Sequence, residues 1–194
     1  RWRFLKESYR TPNLLMEQAN SFAETFLPEI GSTPIPNNYQ TDLFDPHFIW
    51  RNLDGIGYVE KVVAAFNWLT RTKGVHPQDI IILLPTHDEG WSLVNYFNDI
   101  KIHINHVFED DSNDHQHKKS FWMGDSRLKM STIHSFKGWE LMNVMLIIPK
   151  KGSGSEPELD SLIYTSLTRT RSNLIVFNQH PKYEGYGQNW PQTW

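Results

Sequence analysis

Three short stretches of this chain hold side chains whose types and spacing suit phosphate and nucleoside chemistry. The sharpest, MSTIHSFKGWELMNVMLII from Met130 to Ile148, sets Thr132, His134, Lys137, Gly138 and Glu140 between two apolar runs. Thr132 and His134 can donate hydrogen bonds to phosphate oxygens, the Glu140 carboxylate suits a ribose hydroxyl, and Gly138 permits close backbone approach. Any strand-to-strand connection also needs glycine and polar residues, so taken alone this stretch divides about evenly between a ligand loop and a plain link. In the second stretch, SLIYTSLTRTRSNLIVF, Thr168, Arg169 and Arg171 end a helical segment whose apolar face includes Leu162, Ile163 and Leu167. Arginines there either complement the helix dipole or reach into a neighbouring domain to neutralise a transferring phosphoryl group. The third, LKESYRTPNLLMEQAN, places Tyr9 and Arg10 just before a helix. There Tyr9 either stacks on a base beside a phosphate-binding Arg10, or lies half-buried under the helix with Arg10 solvated.

The elements that must carry these residues alternate between strand and helix. A short strand is expected at Trp2 to Leu5, then a helix from Asn13 to Leu27 with Pro12 in its first turn and Pro28 ending it. A strand through Phe48, Ile49 and Trp50 follows. The spacing of Val59, Val62, Val63, Phe66 and Leu69 predicts a helix over Tyr58 to Lys73, stopped by Gly74. Ile80 to Leu84 is a continuous apolar run, the pattern of a strand buried on both faces of a parallel sheet. A helix at Asp88 to Phe97, a strand at His103 to Phe108 and an exposed loop EDDSNDHQHKKS come next. Strands at Leu128 to Thr132 and Val144 to Ile148, a helix at Glu158 to Arg169 and a strand at Leu174 to Phe177 complete the series. Such alternation predicts an α/β fold with a largely parallel sheet flanked by helices. In such sheets ligands meet the carboxyl ends of strands, where the Thr132 loop emerges.

At 194 residues and 39% hydrophobic content the chain can bury one sizeable core, and one domain spanning 1–194 is the simplest organisation. With no cysteine there is neither a disulfide framework nor a thiolate metal site, which fits a reducing, cytoplasmic setting. No apolar run approaches the roughly 20 residues needed to span a bilayer, so no membrane partner is expected. The start, RWRFLKESYR, lacks both a secretory core and an initiating Met, as a piece of a longer protein would. A formal charge of -3 is no broad basic field, so any nucleic-acid contact must be local. Eight tryptophans are many for one domain; most are expected to fill the core or face a missing neighbour, while an exposed one can stack on a base.

The three stretches occur in the order, and close to the wording, of motifs IV, V and VI of UvrD/Rep-like superfamily 1 DNA helicases. Ser8, Tyr9, Arg10 and Thr11 resemble the first; Thr132, His134, Lys137, Gly138 and Glu140 the second; Tyr164, Leu167, Thr168, Arg169 and Arg171 the third. The resemblance implies the second, RecA-like motor domain of such a helicase, a P-loop NTPase-like fold without its own Walker A motif. By motif, Tyr9 would stack on adenine, Arg10 and Arg169 would be the catalytic arginines at the γ-phosphate, Glu140 would contact the ribose, and Gly138 would complete the ATP-binding set. Thr132 and His134 would bind single-stranded DNA, with RNA the alternative track, and Lys137, Thr168 and Arg171 would couple the two sites. The implied partner is an N-terminal RecA-like domain of the same parent, which would hold ATP and its Mg2+; the isolated chain would be an inactive half of an ATP-dependent helicase. Departures from the family wording are Trp139 for Leu, Ser166 and Thr170 for Ala, and Pro85, Thr86 and His87 where relatives carry an Arg-Thr-Asn. The accessory domain of large relatives is expected to be absent or reduced to about 98–127.

Other signals are weaker. KKGSGSEPE lacks the phosphate-loop spacing and reads as a flexible connection, and GYGQNWPQTW either packs on a surface or frays. His103, His106, His115 and His117 lack cysteine or a paired acidic base, so they are expected at the surface with no metal site. The rival reading of the whole is a non-hydrolysing nucleic-acid or protein binding module derived from a helicase domain.

Overall fold

A computed structural model describes residues 11–33, 35, 46–53, 57–84, 86–108, 121–122, 124–136, 139, 141–150 and 156–191. The expected strand at Trp2 to Leu5, the loop EDDSNDHQHKKS and the glycine-rich segment after Lys150 lie outside them. Within the described residues six strands form one sheet in which every pairing is parallel, in the order β1-β6-β5-β2-β4-β3. The strands are β1 (Phe48–Asn52), β2 (Ile80–Leu84), β3 (Ile104–His106), β4 (Leu128–Thr132), β5 (Leu141–Ile148) and β6 (Thr170–Asn178). Four helices flank them: α1 (Asn13–Phe26), α2 (Tyr58–Asn67), α3 (His87–Asp99) and α4 (Glu156–Arg169).

Because side chains alternate across a strand, a run of apolar residues must serve two cores at once. In β2, Ile81 and Leu83 join one cluster with Leu15 and Phe22 of α1 and Ile163 and Leu167 of α4. Ile80, Ile82 and Leu84 join another with Val62 and Phe66 of α2 and Leu93 and Phe97 of α3. Both faces are therefore covered, and β2 is buried at every position.

The connections follow from handedness. From β1 to β2 and from β2 to β3 the chain moves one way along the sheet and crosses on the face of α2 and α3. From β4 to β5 and from β5 to β6 it moves the other way, crossing on the opposite face through Ile133, Phe136 and α4. Reversing direction while changing face is what a single crossover hand requires.

The elements largely follow the periodicity, with differences at their ends. β5 and β6 are longer than the expected Val144 to Ile148 and Leu174 to Phe177, because Leu141 already pairs with Thr170 and Ile148 still pairs with Asn178. The helix predicted over Tyr58 to Lys73 is α-helical only to Asn67 and finishes as a wider π turn, Trp68–Thr72, before Gly74 reverses the chain at φ 69°. Of the expected His103 to Phe108 strand only Ile104–His106 pairs residue for residue with β4, and the Val107 amide adds one further bond to the Met130 carbonyl at 3.3 Å. The C-terminal segment packs rather than frays as far as it is described: Trp190 is buried, and the Pro191 carbonyl accepts the Trp50 amide at 3.0 Å.

Side-chain amides tie edge strand β1 to the sheet at both ends. At the amino ends of the strands, Asn143 donates to the Asp79 carbonyl at 2.9 Å, Asn173 donates to Asn143 at 2.6 Å, and the His47 amide donates to Asn173 at 2.9 Å. At the carboxyl ends, Asn178 donates to Asn52 at 2.9 Å, and Asn52 donates to the Glu184 carbonyl at 3.0 Å. A one-residue slip would break both ladders, so these amides fix the β1 register that apolar burial alone would leave degenerate.

Lys129 is the unusual core residue, 0% exposed as the second residue of the five-residue strand β4. Its Nζ donates to the carbonyls of Gln78 and Asp125, joining the turn before β2 to the turn before β4. Burial pushes its pKa down, against the opposing pull of the Asp125 and Asp79 carboxylates. Asp125 is itself held at about 2 by the side-chain hydrogen bonds of Arg127, at 2.6 and 2.8 Å. Lys129→Ala removes the shared donor from two carbonyls and leaves a void, so it should cost about 2–5 kcal/mol in urea unfolding. A loss below about 1 kcal/mol, the net worth of one ordinary hydrogen bond, would show that the lysine is no strut.

Candidate functional site

The described candidate residues divide between two edges of the sheet. Thr132 is the last residue of β4 and sits level with Leu84 at the carboxyl edge. The Ile133 amide donates to the Leu84 carbonyl at 3.0 Å, and the chain then turns through a 3-10 segment, His134–Phe136. Thr132 is only 5% exposed, and its hydroxyl is engaged by the turn: it donates to Ser135 Oγ at 2.9 Å and accepts the Ser135 amide at 3.3 Å. His134 is exposed, with Nε2 3.3 Å from a Glu158 carboxylate oxygen, a pair about half open to solvent on each side. Of the two predicted strand-binding residues, His134 thus presents its side chain while Thr132 shapes the turn beneath it. Trp139 is 46% exposed, with its ring 6.2 Å from that of buried Phe136.

Arg169 lies at the opposite, amino edge. It is the last residue of α4, half-buried, and Thr170, the next residue, opens β6 opposite Leu141 of β5. A cation at the end of α4 faces the negative pole of the helix dipole, which both holds it there and tempers its charge. Thr168 donates to the Tyr164 carbonyl at 3.0 Å and to the Thr165 carbonyl at 3.2 Å, an internal bond that leaves its own carbonyl for another partner. That partner is Thr11, whose hydroxyl donates to it at 2.8 Å across a separation of 157 residues. Arg171 is exposed on the second residue of β6.

This bond is where the remote stretches meet. Thr11 follows Arg10 in the chain, Thr168 precedes Arg169, and Leu141, which follows Glu140, pairs with Thr170. Tyr9, Arg10, Lys137, Gly138 and Glu140 themselves lie outside the described residues. Helix α1 is held antiparallel to α4 by contacts at both ends. Beyond the Thr11 tie, Phe26 packs on Tyr183 at 5.2 Å, and the Tyr183 hydroxyl donates to Asp160 at 2.8 Å. The connection 133–140 begins at Thr132 on the carboxyl edge and returns at Leu141 on the amino edge, so one stretch of chain links both candidate regions.

Among the described residues no group of three or more His, Asp or Glu could hold a metal ion. The expectation that His103 and His106 are surface residues needs one correction. His103 is exposed, but His106 is 9% exposed, stacked on Phe108 with ring centres 5.5 Å apart and edge-on to Trp91 at 5.0 Å. Its position on an inner pleat of β3, under α3, outweighs its polarity. His115 and His117 lie outside the described residues.

The chain is similar in fold to a solved structure described as the C-terminal domain of a possible DNA helicase from Lactobacillus plantarum. The TM-score is 0.54 at 14% identity, over 90% of this chain and 91% of that one. The likeness and the all-parallel, helix-flanked sheet agree in a RecA-like fold. No family model and no curated protein sequence matches the chain. No helix among the described residues is long and apolar enough to cross a membrane.

The cross-chain tie has a direct check. Thr11→Val keeps the shape and removes the donor to the Thr168 carbonyl, so the chain should lose about 1 kcal/mol of stability, read as a lower melting temperature. An unchanged melting temperature would mean that the bond does not hold the two stretches together.

Proposed function

We propose that this chain is the second motor domain of a UvrD/Rep-like superfamily 1 DNA helicase, completing an ATP site whose phosphate-gripping half lies on an N-terminal RecA-like domain of the parent. The observation that carries the reading is the Thr11 to Thr168 hydrogen bond, which joins the chain neighbours of Arg10 and Arg169 at one edge of the sheet. The packing of α1 on α4 brings these distant stretches together at that edge. A nucleotide bound there would meet both at once.

In this reading Arg169 and Arg10 neutralise the charge that develops on the γ-phosphoryl group, Tyr9 stacks on the adenine, and Glu140 and Gly138 meet the ribose side of the nucleotide. A guanidinium on a helix terminus at a domain edge acts only when the facing domain closes on it, so hydrolysis is tied to cleft closure. His134 and Thr132 meet the single strand at the other edge. Lys137, with the rest of the 133–140 connection, carries displacement from one edge to the other, and Thr168 and Arg171 anchor its far end. Support for this division comes from the placement of Thr132 and His134 at the carboxyl edge and of Thr168, Arg169 and Arg171 at the amino edge. Mg2+ belongs with the phosphates on the partner domain.

The test is Arg169→Ala in the full-length parent, which should lower DNA-stimulated ATP turnover on the order of 10³-fold while leaving the melting temperature of the domain within a degree or two. Turnover equal to that of the parent would refute the arginine's role. A parent that binds single strands but never hydrolyses ATP would favour the binding-module reading instead.

A further inference from the structure

We infer that the crevice between the carboxyl ends of β1 and β6 is a second ligand site, on the same carboxyl edge as Thr132 and His134 but several strands away from them, built to take a phosphate ester of nucleotide size. The argument begins with topology. After β1 the chain leaves for α2 on one face of the sheet, whereas after β6 it leaves for the segment around Tyr183 on the other. Where neighbouring parallel strands send their exits to opposite faces, a crevice must open between them, and this is the position at which open α/β sheets hold ligands. The crevice is present here as a cavity of about 510 Å³, within the range of small-molecule sites.

Its lining is rich in donors. Lys61 enters from α2, and Lys150 from the exit of β5, so two ammonium groups come from separate elements. Gln179 and His180 follow β6. His180 Nδ1 accepts the Lys182 amide at 3.2 Å, which places the proton of the neutral ring on Nε2 and makes that nitrogen a donor. Among the described lining residues Glu184 is the one carboxylate, beside the two lysines. Asn52 and Asn178 form part of the wall, but Asn178 spends its amide hydrogens on the Asn52 side-chain oxygen and the His180 carbonyl, and Asn52 donates to the Glu184 carbonyl. They stiffen the site and leave recognition to the lysines, Gln179 and His180. Several N–H donors, ammonium groups among them, match a group that offers several anionic acceptor oxygens and no donors, as phosphate does. Two sources share this chemistry: the backbone of a strand running along the carboxyl edge, and a free nucleotide. Counted in strand spacings, the crevice is roughly 15–20 Å from β4 along that edge. The strand source rests on the proposed function; the free-nucleotide source does not.

The test uses the 194-residue chain and its Lys61→Gln/Lys150→Gln variant, with Lys150→Gln alone as the milder substitution at an exposed position. Thymidine 5′-monophosphate and a single-stranded oligothymidylate are titrated separately, following the His180 ring and Gln179 side-chain signals by NMR. If the backbone is the source, oligothymidylate affinity falls in the variant, and the slope of log K against log salt shrinks by about 0.7 per lysine removed. If free nucleotide is the source, thymidine monophosphate shifts the His180 signals in the parent chain and at least tenfold less in the variant, with oligothymidylate binding unchanged. Lys→Arg at both positions should retain binding in either case. Neither ligand moving the His180 or Gln179 signals, or both binding the Lys150→Gln chain as well as the parent, would overturn the inference. Loss of oligothymidylate binding on His134→Ala with no effect of the lysine changes would leave the proposed function standing while this site falls.

Discussion

Parallel strands cannot be joined by a tight turn: each must send the chain over a face of the sheet and back to the starting edge before the next can begin. Nearly everything else in this molecule follows from that constraint. It demands helices or crossing segments on both faces, hence two separate apolar cores served by alternate residues of the same strands. It also makes the two edges unlike, because chains leave at one and arrive at the other. Loops that leave can open crevices, and helices that arrive deliver their C-terminal residues, Thr168 and Arg169 among them.

The connection from β4 to β5, 133–140, is eight residues long, and its described part holds a single 3-10 turn and no α-helix. It turns at Ser135, braced by the Thr132 hydroxyl, and buries Phe136 against the α1 and α4 core while it crosses. In the helicase reading, such a segment is well suited to transmit a displacement between a strand held at one edge and a nucleotide closed on at the other.

Polar groups do the work that apolar burial leaves undone. Apolar side chains favour any register that keeps them inside, but the Asn143–Asn173 and Asn52–Asn178 pairs are satisfied in only one. Lys129 does the same for two turns at the amino edge, tolerating a desolvated ammonium in return for two carbonyls that would otherwise be orphaned. The carboxyl-edge pair also fixes the wall of the β1 and β6 crevice, so one set of amides serves both register and site.

Periodicity alone determined most of the architecture: the apolar run Ile80–Leu84, the spacing of Val59 to Leu69 and the strand-helix alternation each express a local rule, and the described elements stand close to where those rules put them, differing at their ends. Residue type and spacing raised Thr132, His134 and Arg169 as candidates and left their roles open. Tertiary structure decided what local rules do not encode: that Thr11 lies against Thr168, that Thr132 is consumed by its own turn while His134 is not, and that His106 is buried under α3 rather than exposed. It also decided that β1 stands next to β6, which creates a cavity lined from four separate segments of the chain. The physical reason is range. Propensity and hydrophobic period act over a few residues, whereas strand order and loop exits are settled by the whole sheet at once.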